Sequence, residues 1–521
     1  MSKQERNIWV VLLGVATFGL ALWLAILANG TIAAAPDVII TGVVTDDTGK
    51  PLRGAPVTAK VENISISRYS DASGKYQITG LKPGNYKISA TAYGYGPKSV
   101  DKEIGGGATD VAFRLKPNWN PSLISTAEYV SAFGNDKDIR NVEETCTPCH
   151  NFSWIMRRRG MTADEWSSFI PVMGNKFITP KLSPEKLTEI GISLEKYFGP
   201  DSPLPTKEQV HHEDISDEAL NSTIRMYQPP TPNIDHSLSV GADGRVWFSE
   251  FDYFSNKLGM FDPSKQEFKE YPIPTERAMP HNTWVARNGM VWVTELGGDN
   301  LAVLDPETGK ITEYPVPNDA GAHTLKEGPT GNIWLVGRKV SRFNPQTKKF
   351  DTYDAAGYDV AVDSHNNGWS TDYKKGSIDK ADSATGQVKR YPVPGATFLR
   401  GIEVDAQDNV WFGDVMGHRL GRIDHKTEQM TFYQPSTPNY SIYGIVVDKK
   451  TGNIWTADYL GANVTRLDPT TGKFTVFPFP SEIQMIRFFG EDPQGRIWFT
   501  DFASGRIGVL ETGESKMALQ R

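Results

Sequence analysis

The sequence predicts a mainly β chain: a seven-bladed β-propeller, preceded by a β-sandwich and a small all-α domain, with a transmembrane helix at the N-terminus. Three observations lead there. A tryptophan-centred unit recurs seven times in the C-terminal half. Gly (48) and Pro (34) are abundant and aromatics reach 11%, the signature of turn-rich β structure. Ile8 to Ala28 runs for 21 residues without a charge, long enough for a helix to span a bilayer. At 521 residues the chain needs several cores. Its net charge of −7 gives no footing for nucleic acid.

Residues 1–35 form the membrane segment. Lys3 and Arg6 precede the apolar run, so the positive-inside rule puts the body of the protein in the periplasm or an equivalent extracytoplasmic space. Ala33-Ala34-Ala35 would suit a signal peptidase, but the length of the run favours an uncleaved anchor in the inner membrane.

Residues 37–116 alternate apolar and polar side chains between Gly/Pro/Asp turns and read as a sandwich. The pattern Gly42-x-Val44, Gly49-x-Pro51, Gly54-Ala55-x-Val57 and Gly74-x-Tyr76 resembles the carboxypeptidase regulatory-like domain. That resemblance implies a structural module, expected here as a spacer near the membrane. Residues 117–200 switch to helical spacing. Thr162 and Ser183 are expected N-caps, Thr162 with Glu165 in a capping box, and Gly199-Pro200 ends the last helix. Residues 201–221 read as a polar linker.

"EETCTPCHNF" (143–152) holds the only two cysteines, Cys146 and Cys149, with His150 directly after them. No disulfide therefore staples any domain. A zinc site would need a fourth ligand, usually from a second CxxC. A thioredoxin-like pair would sit near a βαβ pattern, which this segment lacks. CxxCH is the spacing for thioether attachment of one haem c, with the histidine as axial ligand of the iron. "CTPCH", "ADEWSSFIPVMG" and "LEKYFG" together resemble the small monohaem cytochrome c domains, with CTPCH expected to open the first of three helices. The resemblance implies Met173 as the second axial ligand, with His211 and His212 as outside candidates. Met156 is too close to His150 in sequence, and Met161 falls in a turn. Arg157, Arg158 and Arg159 suit haem propionates, a redox partner or a solvated face.

Residues 222–515 carry the repeats. Their tryptophans are Trp247, Trp292, Trp334, Trp369, Trp411, Trp455 and Trp498, spaced by 45, 42, 35, 42, 44 and 43 residues, the period of a four-stranded blade. Units continue into "DPxTGK", a hairpin turn, and "YPxP", an outer strand. The last unit lacks its outer strand and residues 222–230 have one to spare, so the two ends are expected to pair and close the ring.

Eleven positions before the tryptophans, with one insertion, stand His236, His281, His323, Tyr358, Arg400, Tyr443 and Arg487. They are expected at one height on the innermost strands, as one polar ring around the central channel. Such a set suits an anion, a divalent metal or acid–base chemistry. His236, His281 and His323 are the candidate catalytic or metal-binding residues, and Tyr358, Arg400, Tyr443 and Arg487 the candidate substrate-binding ones. Three residues after the tryptophans come Glu250, Glu295, Gly337, Asp372, Asp414, Asp458 and Asp501, expected near one channel mouth, the four aspartates as caps of the next turn.

The propeller resembles the streptogramin B lyase (virginiamycin B lyase) family, most closely in "PHNTWVARNGMVWVTE" (280–295). The resemblance implies metal-dependent elimination at the ester of a cyclic depsipeptide. His281 takes the place of the proton donor, His236 that of the histidine one blade earlier, and Glu295 that of a metal-binding glutamate. A further family glutamate, two residues before the catalytic histidine, is Met279 here. Three functions are open to the sequence. One is an oxidoreductase that passes electrons from a small-molecule substrate at the ring to haem c and on to a respiratory partner. The others are a lyase with an accessory haem and a non-enzymatic electron-transfer scaffold.

Overall fold

The computed structural model describes residues 38–513 apart from residues 135, 147–151, 175–181, 232–234, 252–254, 397, 462, 481–482 and 484. The apolar run Ile8–Ala28, Cys149, His150 and the side chain of Met173 lie outside the described residues. Among the described residues no helix is long and apolar enough to cross a membrane.

The N-terminal unit is a two-sheet sandwich of β1 (Val38–Asp46), β2 (Pro56–Val61), β3 (Ile64–Tyr69), β4 (Lys75–Leu81), β5 (Gly84–Ala90), β6 (Lys98–Ile104), β7 (Gly107–Asp110) and β8 (Phe113–Leu115). β1 pairs with β4, β7 and β8; the facing sheet runs β3-β2-β5-β6. Alternation in β1 buries Val38, Ile40 and Val44 against Val57, Ile78, Ile88 and Phe113. The turns form as the sequence suggests. Asp46 Oδ1 accepts from the Thr48 and Lys50 N–H groups, and Asp71 Oδ1 does the same for Ser73 and Lys75.

The helical unit has five helices rather than the expected three: α1 (Thr126–Ser131), α2 (Lys137–Cys146), α3 (Phe152–Met156), α4 (Ala163–Gly174) and α5 (Pro184–Phe198). CTPCH does not open the first of them. It starts on the last residue of α2, and α3 begins at Phe152. The expected caps are present: Thr162 Oγ1 and Glu165 Oε2 bond each other's backbone N–H, and Ser183 Oγ accepts from the Lys186 N–H. Tyr129, Ile139, Val142, Phe152, Trp166, Leu194 and Phe198 form the core.

Residues 201–221 are not a free linker. Trp119 Nε1 donates to the Pro205 carbonyl, His212 stacks on Tyr93 at 3.7 Å and pairs with Glu128, Arg53 pairs with Asp217, and Glu218 pairs with Arg466. The segment is clamped to all three units by its charged and aromatic side chains.

Six antiparallel four-stranded sheets follow, one for each tryptophan from Trp247 to Trp455, and Trp498 lies in a seventh blade. β9 (Thr223–Tyr227) pairs with Arg506–Glu511 and becomes the outer strand of blade 7, closing the ring. Its other edge pairs with β3, so blade 7 and the sandwich share one eight-stranded sheet. The sandwich is therefore built into the propeller rim rather than acting as a spacer. Within blades the repeat motif assembles on itself. The tyrosine of the outer strand lies against the tryptophan of the second strand in Trp247–Tyr271, Trp334–Tyr353, Trp369–Tyr391 and Trp411–Tyr433, with ring centroids 5.2 to 5.6 Å apart. The "DPxTGK" turns close through the aspartate: Asp305 Oδ1 accepts from the Glu307 N–H, and Gly309 takes the left-handed conformation.

Candidate functional site

The seven ring residues meet at one end of the channel. In five blades the inner strand carries a register irregularity at this point, between Asp235 and Leu238, Pro280 and Thr283, Leu399 and Ile402, Ile442 and Ile445, and Ile486 and Phe489. Such a bulge re-aims a side chain and, by adding a residue, lets positions three apart share a face. His236 and His281 have ring centroids 3.8 Å apart, His281 and His323 4.0 Å, and His323 and Tyr358 4.3 Å. The Tyr358 and Tyr443 hydroxyls are hydrogen-bonded. The Arg400 guanidinium lies 4.1 Å from the Tyr358 ring centroid, and Arg487 bonds the Tyr459 hydroxyl.

Each histidine is held by the blade that follows it. Nδ1 of His236 bonds the His281 carbonyl (3.2 Å), Nδ1 of His281 the His323 carbonyl (2.7 Å), and Nδ1 of His323 the Tyr358 carbonyl (2.7 Å). A carbonyl only accepts, so each Nδ1 carries a proton and each Nε2 of the neutral imidazole is an acceptor. Burial, together with neighbouring imidazoles and guanidiniums, holds His236 and His281 well below the usual histidine range. Burial brings His323 down to about 3. All three are neutral at pH 7. Burial also pushes the Tyr358 hydroxyl well up, so it stays protonated.

Three positions further along the inner strands lie Trp284, Lys326 and Glu403. Lys326 Nζ meets Glu403 Oε2 at 2.5 Å and lies 4.5 Å from the Trp284 ring centroid. This bridge joins blades 3 and 5 past blade 4. Above it, the helical unit docks. Ala127 of α1 packs with Val415, Tyr443, Tyr459, Leu460 and Met485, and its N–H donates to the Leu460 carbonyl at 3.2 Å. Thr126 Oγ1 accepts from the N–H of Phe152, two residues past His150. Arg140 of α2 donates to His418 Nε2 at 2.8 Å and to Asn439. No sequence pattern marked Arg140, His418, Tyr459 or Ala127 as neighbours, because these contacts join distant segments.

Glu295 ends the second strand of its blade, paired with Pro280 of the inner strand. Its fully buried carboxylate accepts from Asn300 Nδ2 at 2.9 Å, and burial raises it to about 8. The aspartates at the equivalent position act as turn caps. Asp414 accepts from the Phe398 and Gly417 N–H groups, Asp458 from Ser441 and Leu460, Asp501 from Met485, and Asp372 from Lys374 and Lys375. Met279, buried and at φ 48, occupies the position of the family's further glutamate. Among the described residues no group of three or more His, Cys, Asp or Glu is arranged to hold a metal ion.

Partly buried apolar side chains, among them Cys146, Trp154, Met156, Met161, Phe169, Ile170 and Leu182, pack against the core of the helical unit. Among the described residues the buried Trp166 indole N–H has no hydrogen-bond partner.

Fold and site together define a seven-bladed propeller with a buried His/Tyr/Arg ring, extended by a sandwich and capped by a helical unit. Residues 198–343 and 343–518 match the virginiamycin B lyase family, more than half of the chain, and the chain belongs to that family. Residues 39–116 match the carboxypeptidase regulatory-like domain. Among solved structures, a streptogramin B lyase is 25% identical, covers 57% of this chain and 100% of its own, and superposes with a TM-score of 0.52. Virginiamycin B lyase from Staphylococcus aureus is 24% identical over 56% of this chain and 99% of its own, with a TM-score of 0.49. Hydrazine synthase from Kuenenia stuttgartiensis is 13% identical over 55% of this chain and 97% of its own, with a TM-score of 0.47. No curated protein matches the chain.

Proposed function

We propose that the chain is an exported, membrane-anchored haem c protein whose propeller ring binds a small substrate and exchanges electrons with the haem of the docked helical unit. One observation carries this reading: the helical unit that bears CTPCH packs through Ala127 directly on the ring residue Tyr443 and its neighbour Tyr459. Cys146 and Cys149 would hold the haem, with His150 and Met173 as axial ligands. Bound there, haem c supplies one-electron chemistry. The chain's own residues do the rest. The three Nε2 atoms accept protons or hydrogen bonds from substrate. The Tyr358–Tyr443 pair orients it, and the docked α1 limits water. A respiratory electron-transfer protein is the proposed outlet.

The test is spectroscopic. Candidate substrates should reduce the oxidised, purified extracytoplasmic domain, and His281→Ala should abolish that reduction. Reduction that persists in the variant would overturn the reading. The family membership favours a second reading, a lyase with an accessory haem. It requires opening of a cyclic ester with magnesium and no change in the haem spectrum, and Met279 with the engaged Glu295 weighs against it.

A further inference from the structure

We propose that the ring chamber is built for a small organic anion that carries a hydroxyl beside its charged group, of the α-hydroxy carboxylate class. The inference rests on the ring being the substrate site, and it concerns binding alone.

The chamber has two chemically distinct sides. Blades 1 to 3 contribute His236, His281 and His323, whose Nδ1 protons are committed to backbone carbonyls. Their Nε2 atoms can only accept, so this side suits an O–H donor. Blades 4 to 6 contribute donors: the Arg400 guanidinium and the one hydroxyl proton that the Tyr358–Tyr443 hydrogen bond leaves free. Arg400 is 8% exposed and packed on aromatic faces, 3.3 Å from the Phe398 ring centroid and 4.1 Å from that of Tyr358. Its described polar contact is Nη1 to its own neighbour's carbonyl, Leu399, at 2.9 Å, and no described carboxylate pairs with it. A buried cation without a counter-charge is costly, and an anion entering the chamber removes that cost. The planar fork of arginine matches a carboxylate.

The spacing sets the size of the ligand. The His323 ring and the Arg400 guanidinium both lie against the Tyr358 ring, 4.3 and 4.1 Å from its centroid. Acceptor and cation thus share one neighbour, a proximity that suits a ligand of two or three carbons.

Titration calorimetry on the full extracytoplasmic domain at pH 7 tests this with glycolate, acetate and the neutral amide glycolamide. Glycolate should bind, acetate should bind at least about tenfold more weakly, and glycolamide should give no heat. Arg400→Gln should weaken glycolate by about tenfold or more, and His281→Gln should narrow the gap between glycolate and acetate. Equal binding of glycolate and glycolamide, or unchanged glycolate affinity in a folded Arg400→Gln, overturns the proposal. The glycolate–glycolamide comparison needs no variant, so it decides the matter even if Arg400→Gln misfolds. Glycolate binding without haem reduction would sink the redox reading and leave this inference standing. His281-dependent reduction by a neutral substrate, with no glycolate binding, would do the reverse.

Discussion

Single residues show how the repeats divide labour. Six positions before Trp369, Trp411 and Trp498 stand Asp363, Asp405 and Asp492, and each accepts the indole N–H at 2.9 to 3.0 Å. Blade 3 has Gly328 there, and the buried Trp334 Nε1 has no hydrogen-bond partner. Asp492 also accepts from the Gln494 and Arg496 N–H groups. Asp492→Ala should therefore cost about 3 kcal/mol, read as a lower urea midpoint with unchanged slope. His418 is the residue to watch with pH. Burial first, then Arg140, depresses it to about 4, and as a neutral ring it accepts from Arg140 across the junction of helical unit and propeller. A depressed histidine stabilises the fold fully above its unfolded value near 6.5, and that contribution is lost as pH falls toward 4. By pH 5 the loss is about 2 kcal/mol. Thermal melts at pH 7 and pH 5 should show this acid sensitivity, and His418→Gln should flatten it.

At the scale of elements, the inner strands matter most. Their periodicity and turn residues were readable, so seven blades, the ring positions and the helix caps could all be placed before the fold was known. The bulges were not readable, because a bulge depends on the partner strand; the one insertion, between Tyr443 and Trp455, falls in the turn 448–453 instead. Packing between second and third strands is equally specific. Phe412 covers Gly421, and a Cβ on Gly421 would meet the Phe412 ring at 2.1 Å. Relief would require the buried ring to move, so Gly421→Ala should destabilise by about 1 to 3 kcal/mol through overpacking, measured by chemical denaturation.

For the molecule as a whole, the sheet shared by sandwich and blade 7 is the feature with most consequence. β9 has paired strands on both sides, so every backbone N–H along it serves one ladder or the other. Tyr69 at the end of β3 also reaches the Pro478 carbonyl of blade 6. Sandwich and propeller should therefore unfold together, with β3 and the last blade losing amide protection in one exchange event. Arg225→Pro, in the middle of β9, removes a ladder donor and should cost about 3 kcal/mol or more. It should also split the exchange into two events; a single event in the folded variant would contradict this coupling.

The sequence by itself determined the number of blades, the residues on the channel ring and the closing role of residues 222–230. These follow from period, spacing and turn chemistry, which are local properties of the chain. Only the tertiary structure decided that the sandwich extends blade 7, that residues 201–221 are clamped, and that α1 rests on Tyr443. Those facts depend on which surfaces are complementary in shape and charge when distant segments meet, and no periodicity records that.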